Sequence, residues 1–293
     1  MNKIFNLNLP FFIYRKLRSS NDKSNISSRI IKIAVISVFL GVFVSLSAIS
    51  IGKGLQIAIK DKLYSLSPDL VISTYENNSR GIASEKINNF ESINNEIKNT
   101  LKGIEIEKTI EKPTLISVDN SFETVIFRGV NNGYNFRDFN KFIIGSKIKN
   151  DITNNEIIIS KSLSDNLKIL VGQNLTLYFQ VNNNQRIPNV RSFKVSHIYE
   201  TDFPDFDNNY IIGNLETLQN VYKWSKNDFA NIEISVEDKL QISLIEKSIS
   251  LLKSFEKNNL STKTVQSKYA NIFSWISIFD FNILIITFLM ILV

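Results

Sequence analysis

Two apolar segments bracket the sequence and leave room for one kind of layout. Residues 33–51 contain no charged side chain, and from Ile276 to Val293 Asp280 is the single charge. A helix needs about 20 residues to cross roughly 30 Å of hydrocarbon, and the first segment meets that length. Its hydroxyl residues Ser37, Ser45, Ser47 and Ser50 can each bond back to a helix backbone. A signal peptide carries a shorter apolar run, about 7–15 residues, closer to the start and followed by small residues. The sequence fits that pattern poorly. More than two hundred residues of ordinary, soluble-looking sequence lie between the segments, so a large domain outside the membrane is expected. It would sit between a transmembrane helix over 33–51 and a second over 276–293 that is incomplete.

Charge sets the expected orientation. Lys3, Arg15, Lys16, Arg18, Lys23, Arg29 and Lys32 precede the first span against one acid, Asp22, an excess equal to the whole net charge of +6. The remainder is therefore neutral, and the basic balance is a juxtamembrane signal rather than a nucleic-acid one. The positive-inside rule places residues 1–32 in the cytoplasm, where they can also meet anionic lipid. The apolar, aromatic stretch from Leu9 to Tyr14, followed by Arg15, Lys16 and Arg18, reads as a short interfacial helix. There is no cysteine, so disulfide and thiolate chemistry are excluded.

The middle of the chain mixes strand and helix signals. A helical stripe of Leu55, Ile59, Leu63 and Leu66 predicts that the first helix continues as a stem over 52–67 and stops before Pro68. Residues 264–275 predict a second helical stem, with Tyr269 and Trp275 near the interface. Strands are expected at 69–74, 114–118, 124–130, 156–160, 175–179, 192–199, 210–212 and 231–236. Helices are expected at 84–101, 161–170, 215–224 and 238–255. In the last, Leu244, Leu251 and Phe255 widen the apolar stripe of Ile242, Ile245, Ile249 and Leu252. The order implies an α/β or α+β domain over 68–263, in two lobes and without internal repeats.

Catalytic constellations are scarce. His197 is the one histidine, with no second ligand to complete a zinc site. Asp202, Asp205 and Asp207, set around Phe203, Pro204 and Phe206, read as a turn. No phosphate-loop pattern is present, so the chain is expected to be a non-catalytic subunit with no cofactor or metal of its own. Two features point to partners instead. Ala34, Ser37, Gly41, Ser45 and Ala48 put small residues on one face of the first span, with Ser37, Gly41 and Ser45 as candidate helix-packing positions. The long connection 179–193 is a candidate docking loop, with Arg186 and Arg191 offering charge and Ile187, Pro188 and Phe193 apolar contact.

Several stretches together resemble a known family. They are 25–30 leading into 34–41, then Gly52-Lys53-Gly54-Leu55-Gln56, and Leu9-Pro10-Phe11-Phe12-Ile13 near the start. Further in come 156–160 with Leu163, Leu167 and Gly172-Gln173-Asn174-Leu175, where Asn174 stands in place of the usual acid. Ile198-Tyr199-Glu200-Thr201, Asp207, Leu218-Gln219, 272–275 and Phe279-Asp280 continue the pattern. Across nearly the whole chain it resembles the LolC/LolE branch of FtsX/MacB-type ABC-transporter permeases. The resemblance implies a four-span, inner-membrane permease with a periplasmic MacB-like core domain, of which this sequence holds the first span, the outer domain and the start of the second span. It implies a dimer with a second copy or a paralogue, and a cytoplasmic ATPase that binds ATP on a separate chain. It further implies a lipoprotein substrate lifted from the membrane toward a periplasmic chaperone, with Arg186-Ile187-Pro188 and Arg191-Ser192-Phe193 as a hook for that chaperone. MacB-like efflux and FtsX-like regulation are the alternatives within the family. A two-span sensor is the alternative outside it.

Overall fold

The computed structural model describes residues 26–80, 85–87, 90–118, 121–136, 138–149, 151–180 and 187–292. The interfacial stretch 9–18, Arg186 and Val293 lie outside them. Two compact units emerge, residues 61–270 on the one hand and residues 1–60 with 271–293 on the other.

In residues 61–270, helix α1 (Ile26–Leu66) ends two positions before Pro68 and gives way to β1 (Leu70–Thr74). The short α2 (Tyr75–Arg80) and α3 (Phe90–Thr100) follow. Then comes the longest strand, β2 (Ile104–Val118), with its hairpin partner β3 (Ser121–Val130). The remaining elements are β4 (Ile143–Ile144), β5 (Glu156–Ser160), α4 (Lys161–Leu167), β6 (Asn174–Phe179), β7 (Asn189–Tyr199), α5 (Pro204–Asp207), β8 (Tyr210–Asn214), α6 (Leu215–Tyr222), β9 (Asn231–Val236), α7 (Ile242–Ser250), α8 (Lys253–Lys257), β10 (Leu260–Thr264) and α9 (Val265–Lys268).

The ten strands among the described residues join one sheet, nine of them in the order β10-β1-β9-β2-β3-β8-β5-β7-β4. Strand β6 is off this path and pairs with β7 from Asn174↔Lys194 to Phe179↔Asn189. It also pairs with β2 at Leu115↔Tyr178 and Ile116↔Leu177. The strands β2, β3, β8, β5, β7 and β6 therefore form a closed circuit. The first half of β2 pairs with β9 instead, from Ile104↔Val236 to Thr109↔Asn231, so β2 belongs to two lobes at once. One is a four-stranded antiparallel layer; the other is a small barrel, which removes free edges by closing on itself.

A continuous apolar core runs through both lobes. Ile72, Ile93, Ile97, Ile232, Ile234 and Ile249 fill the layered lobe, and Phe127, Phe179 and Phe193 fill the barrel. The three rings lie 5.7, 5.8 and 6.2 Å apart between centroids, within the range of favourable edge contacts. Full burial of each such side chain stabilises by about 1.5–3 kcal/mol. Gly213 on β8 faces this cluster, and a Cβ there would stand 2.2 Å from the Phe127 ring. Only glycine lets the strand pass so close. The opposite sheet face carries a second cluster, in which Phe139, Tyr199 and Phe206 pack with Ile158, Ile212 and Leu66.

Local chemistry fixes the element ends. Ser160 accepts from Leu163 N at 3.0 Å to cap α4, and Asn214 accepts from Glu216 N at 2.8 Å to cap α6. The expected helix 238–255 is divided. Asp238 caps a single 3-10 turn (Lys239–Gln241), α7 stops at Ser250, and α8 begins at Lys253. Leu244 and Leu251 do not extend the buried stripe, being 68% and 77% exposed. Strands β4 and β10 and the first half of β2 were not expected.

The passages into and out of this unit lie side by side. β1 and β10 are neighbours in register Leu70↔Thr264. Val265 N donates to Asp69 O at 3.1 Å, Ser67 Oγ and Tyr269 Oη lie 2.9 Å apart, and Gln266 Nε2 donates to Tyr64 Oη at 2.9 Å. The return segment is not one helix, because α9 ends at Lys268 and Tyr269 leaves helical geometry at φ −111° and ψ 37°.

The other unit consists of most of α1 and of α10 (Ala270–Leu292). Both helices contain segments long and apolar enough to cross a membrane, Arg29–Leu66 and Ala270–Leu289. Ile33, Phe39, Phe281 and Leu284 are each more than 60% exposed, which in water would be a costly apolar surface and in lipid is the natural one. Ser47 Oγ donates to Phe43 O and Thr287 Oγ1 to Ile283 O, both at 2.8 Å. These hydroxyls need no external partner in hydrocarbon.

Candidate functional site

Three regions could act on partners. The first is the helix pair. Lys53 on α1 donates to Asp280 Oδ1 at 2.8 Å. Gln56, one helical turn further on, donates from Nε2 to Ile276 O at 3.3 Å and to Asp280 Oδ1 at 3.2 Å. Gln56 is 4% exposed and Ile276 2%, so this polar contact is enclosed. A Cβ on Gly52 would stand 3.6 Å from Ile283 Cδ1, an ordinary contact distance. Deeper along the helices the pair opens into an apolar groove of about 350 Å³ lined by Val38, Gly41, Ser45 and Ala48 of α1 and by Ile286 and Leu289 of α10. Two of the three candidate packing residues, Gly41 and Ser45, line this groove, while Ser37 does not. A Cβ on Gly41 would meet nothing within 4 Å, so the small-residue face is open.

The second region is the β6–β7 hairpin. Of the expected hook residues, Arg186 lies outside the described residues. Ile187 is 77% exposed, and Pro188 and Arg191 are exposed as well. Phe193 is 2% exposed and stacks inside the barrel against Phe127 and Phe179. It is a core residue, because strand alternation turns Phe193 inward with its register partner Leu175. The exposed apolar residues of this end are others. Leu115, Phe122 and Val190 are exposed and share the outer face with the half-buried Tyr178, whose ring lies 5.5 Å from that of Phe122. Alternation along 174–179 and 189–193 carries that signal, but it needs the register to be known.

The third region is a polar cluster on the sheet face opposite the barrel interior. Arg128 and Glu233, both 5% exposed at the side chain, pair at 2.7 Å. Thr109 Oγ1 donates to Glu233 Oε1 at 2.8 Å, and Arg128 donates to Tyr134 Oη at 3.0 Å. Burial alone would weaken the Arg128 charge, but Glu233 opposite outweighs it and holds the guanidinium charged. Burial pushes the Tyr134 phenol well up, against the pull of Arg128. Desolvation of both ions offsets much of their attraction, so such a pair adds little net stability while the loss of either partner is costly. Lys268 lines a cavity of about 110 Å³; burial disfavours its charge, but Glu111, with Tyr210 and Tyr269, outweighs that and holds it protonated.

Other titratable groups are structural in their surroundings. His197 lies on β7 beside Ser196 Oγ at 3.2 Å, its basicity lowered by burial. Asp207 accepts from Thr201 N at 3.2 Å and from Thr201 Oγ1 at 2.7 Å within a turn. No group of three or more metal-ligating side chains occurs among the described residues.

Residues 33–251 match the family described as the MacB-like periplasmic core domain. The chain belongs to that family. The outer domain is accordingly the periplasmic domain of a MacB/FtsX-like ABC permease, a transporter component, carried between two transmembrane helices. Among solved structures, the periplasmic region of MacB from Actinobacillus actinomycetemcomitans is similar at 16% identity and a TM-score of 0.46, over 69% of this chain and 91% of that one. The extracellular domain of the noncanonic ABC-type transporter YknZ from Gram-positive bacteria is similar at 15% identity and a TM-score of 0.44, over 67% and 99%. No curated protein sequence matches the chain.

Proposed function

We propose that this MacB-like chain is the permease subunit of a lipoprotein-releasing ABC transporter of the LolC/LolE type. ATP binds and is hydrolysed on a separate cytoplasmic ATPase, and two permease chains, identical or paralogous, form the membrane part. The amino terminus is cytoplasmic, and the basic tail rests on anionic lipid. Motion reaches the outer domain through α1 and the return segment, because ATP acts on one side of the membrane and the work is done on the other. The observation that supports the transmission part of this reading is the pairing of β1 with β10. A displacement applied where the chain enters and leaves the domain falls on two adjacent strands, so it is delivered to one place in the sheet. The exposed Ile187, Pro188 and Arg191, together with Arg186, support a docking role for the hairpin toward a periplasmic lipoprotein chaperone.

Reconstitution tests the reading. The permease is placed in proteoliposomes with the ABC ATPase that co-purifies with it, and a fluorescent triacylated lipoprotein is supplied in the bilayer. ATP-dependent transfer of the lipoprotein to a soluble chaperone is the expected result. Stimulated ATP hydrolysis without any lipoprotein leaving the bilayer would overturn it in favour of efflux or regulation.

A further inference from the structure

The geometry points to Lys53, Gln56 and Asp280 as a register lock that makes the two membrane helices move as one body along their axes. The inference rests on both helices spanning the membrane, and not on which substrate the permease moves.

Gln56 is the centre of it. Its side chain is enclosed between the helices and donates from one nitrogen to two acceptors on α10 that are four residues apart, Ile276 O and Asp280 Oδ1. Ile276 O points along the helix toward residue 280, so both acceptors lie at the same level of α10 and the amide reads a single axial position. An axial slide of one turn, about 5.4 Å, would break both bonds. Lys53 completes the arrangement from the preceding turn of α1 by neutralising the same carboxylate oxygen. The Lys53 and Asp280 side chains are about half exposed, 52% and 49%, and such a pair in water would contribute little. A carboxylate this far into an apolar helix is costly unless it is paired, and ionisable residues there mark working positions. The apolar groove nearer the other end, where Gly41 meets nothing, leaves the pair without close packing at that level. Register is therefore fixed at the Lys53 level, by polar bonds.

These 293 residues contain no cysteine, so a pair introduced here can be tested with the parent that lacks the pair as the background control. Gly52→Cys with Ile283→Cys places two thiols across the contact that Gly52 makes with Ile283, and Gly54→Cys with Ile283→Cys is the non-facing control. Copper-catalysed crosslinking is followed in native membranes holding the whole permease. The lock predicts fast crosslinking of the facing pair and at least a fivefold slower rate when Gln56→Leu or Asp280→Asn is added. It also predicts that Lys53→Asp combined with Asp280→Lys crosslinks faster than Asp280→Lys alone, because the ion pair is restored even though Gln56 loses its carboxylate acceptor. Membrane abundance of each variant, compared by immunoblot, separates a lost lock from lost insertion. Equal rates in parent, Gln56→Leu and Asp280→Asn would overturn the lock, as would failure of the facing pair to crosslink faster than the control. Intact crosslinking behaviour in a permease that releases no lipoprotein would leave the lock standing and remove only the lipoprotein reading.

Discussion

At the scale of single residues, the most demanding positions are ones that give no sign of it in the sequence. Gly213 sits in a strand among isoleucines and could be read as a weak point, yet its missing Cβ is what admits the Phe127 ring. Gly213→Ala forces that ring into Phe179 and Phe193, and overpacking of this kind costs about 1–3 kcal/mol. A fall of that size in denaturant unfolding of the purified chain checks it; unchanged stability would mean the rings relax freely. Lys112 is hidden in a similar way. It lies in a strand as an apparently solvated charge, but it is 6% exposed, with its ammonium 4.8 Å from the Tyr222 ring centre and 5.0 Å from that of Trp224. Burial pulls its pKa down to about 8, against about 10.4 in an unfolded chain. Between those values the unfolded state holds more protons, so stability rises with pH by up to about 1.4 kcal/mol per unit. Above about pH 10 the slope reverses, because burial holds the phenols of Tyr134, Tyr199 and Tyr222 protonated in the fold. Thermal unfolding followed by Trp224 fluorescence should show a maximum near the top of that window. Lys112→Met should flatten its rising limb.

At the scale of elements, strands bounded by turn residues were legible and helices less so. Strands 156–160 and 231–236 were read at their observed limits because each is a short β-branched run between polar neighbours. The first half of β2 was missed because Lys108 and Lys112 fall on the same face as Ile104, Ile106 and Ile110, opposite Glu105, Glu107 and Glu111, so both faces carry charge and the apolar alternation that marks a strand is broken. The reading of 238–255 as one helix failed where Leu251 and Leu252 end α7 and start α8. An apolar count cannot locate such a break. The β6–β7 hairpin divides cleanly by the pleat. Phe193→Ala should cost about 3–5 kcal/mol as a cavity in the barrel, whereas Arg191→Glu should leave unfolding unchanged within about 0.5 kcal/mol. If the hairpin is the chaperone dock, Arg191→Glu with Arg186→Glu weakens crosslinking to the chaperone while stimulated ATP hydrolysis persists. Normal crosslinking would count against the dock.

At the scale of the whole molecule, the layout came directly from the spacing of two apolar segments, and the mixed fold from the alternation of patterns between them. The closed strand circuit did not, because β6 meets β2 through only two residue pairs, a long-range contact that no local pattern records. Transmission is likewise a property of the whole chain. Four glycines inserted after Lys60 should interrupt α1 at about 1 kcal/mol per residue of helix propensity and uncouple ATP hydrolysis from lipoprotein transfer. Transfer at the parental rate would show that motion travels by another route.

The adjacency of Ser67 and Tyr269 has a consequence for how such proteins diversify. A domain whose two ends meet can be cut out and replaced without stretching the helices that carry it. Recombination at that point would let one pair of membrane helices present different outer domains. A chimera joined after Ser67 and before Tyr269, carrying a foreign domain whose ends lie equally close, is therefore the natural unit of exchange.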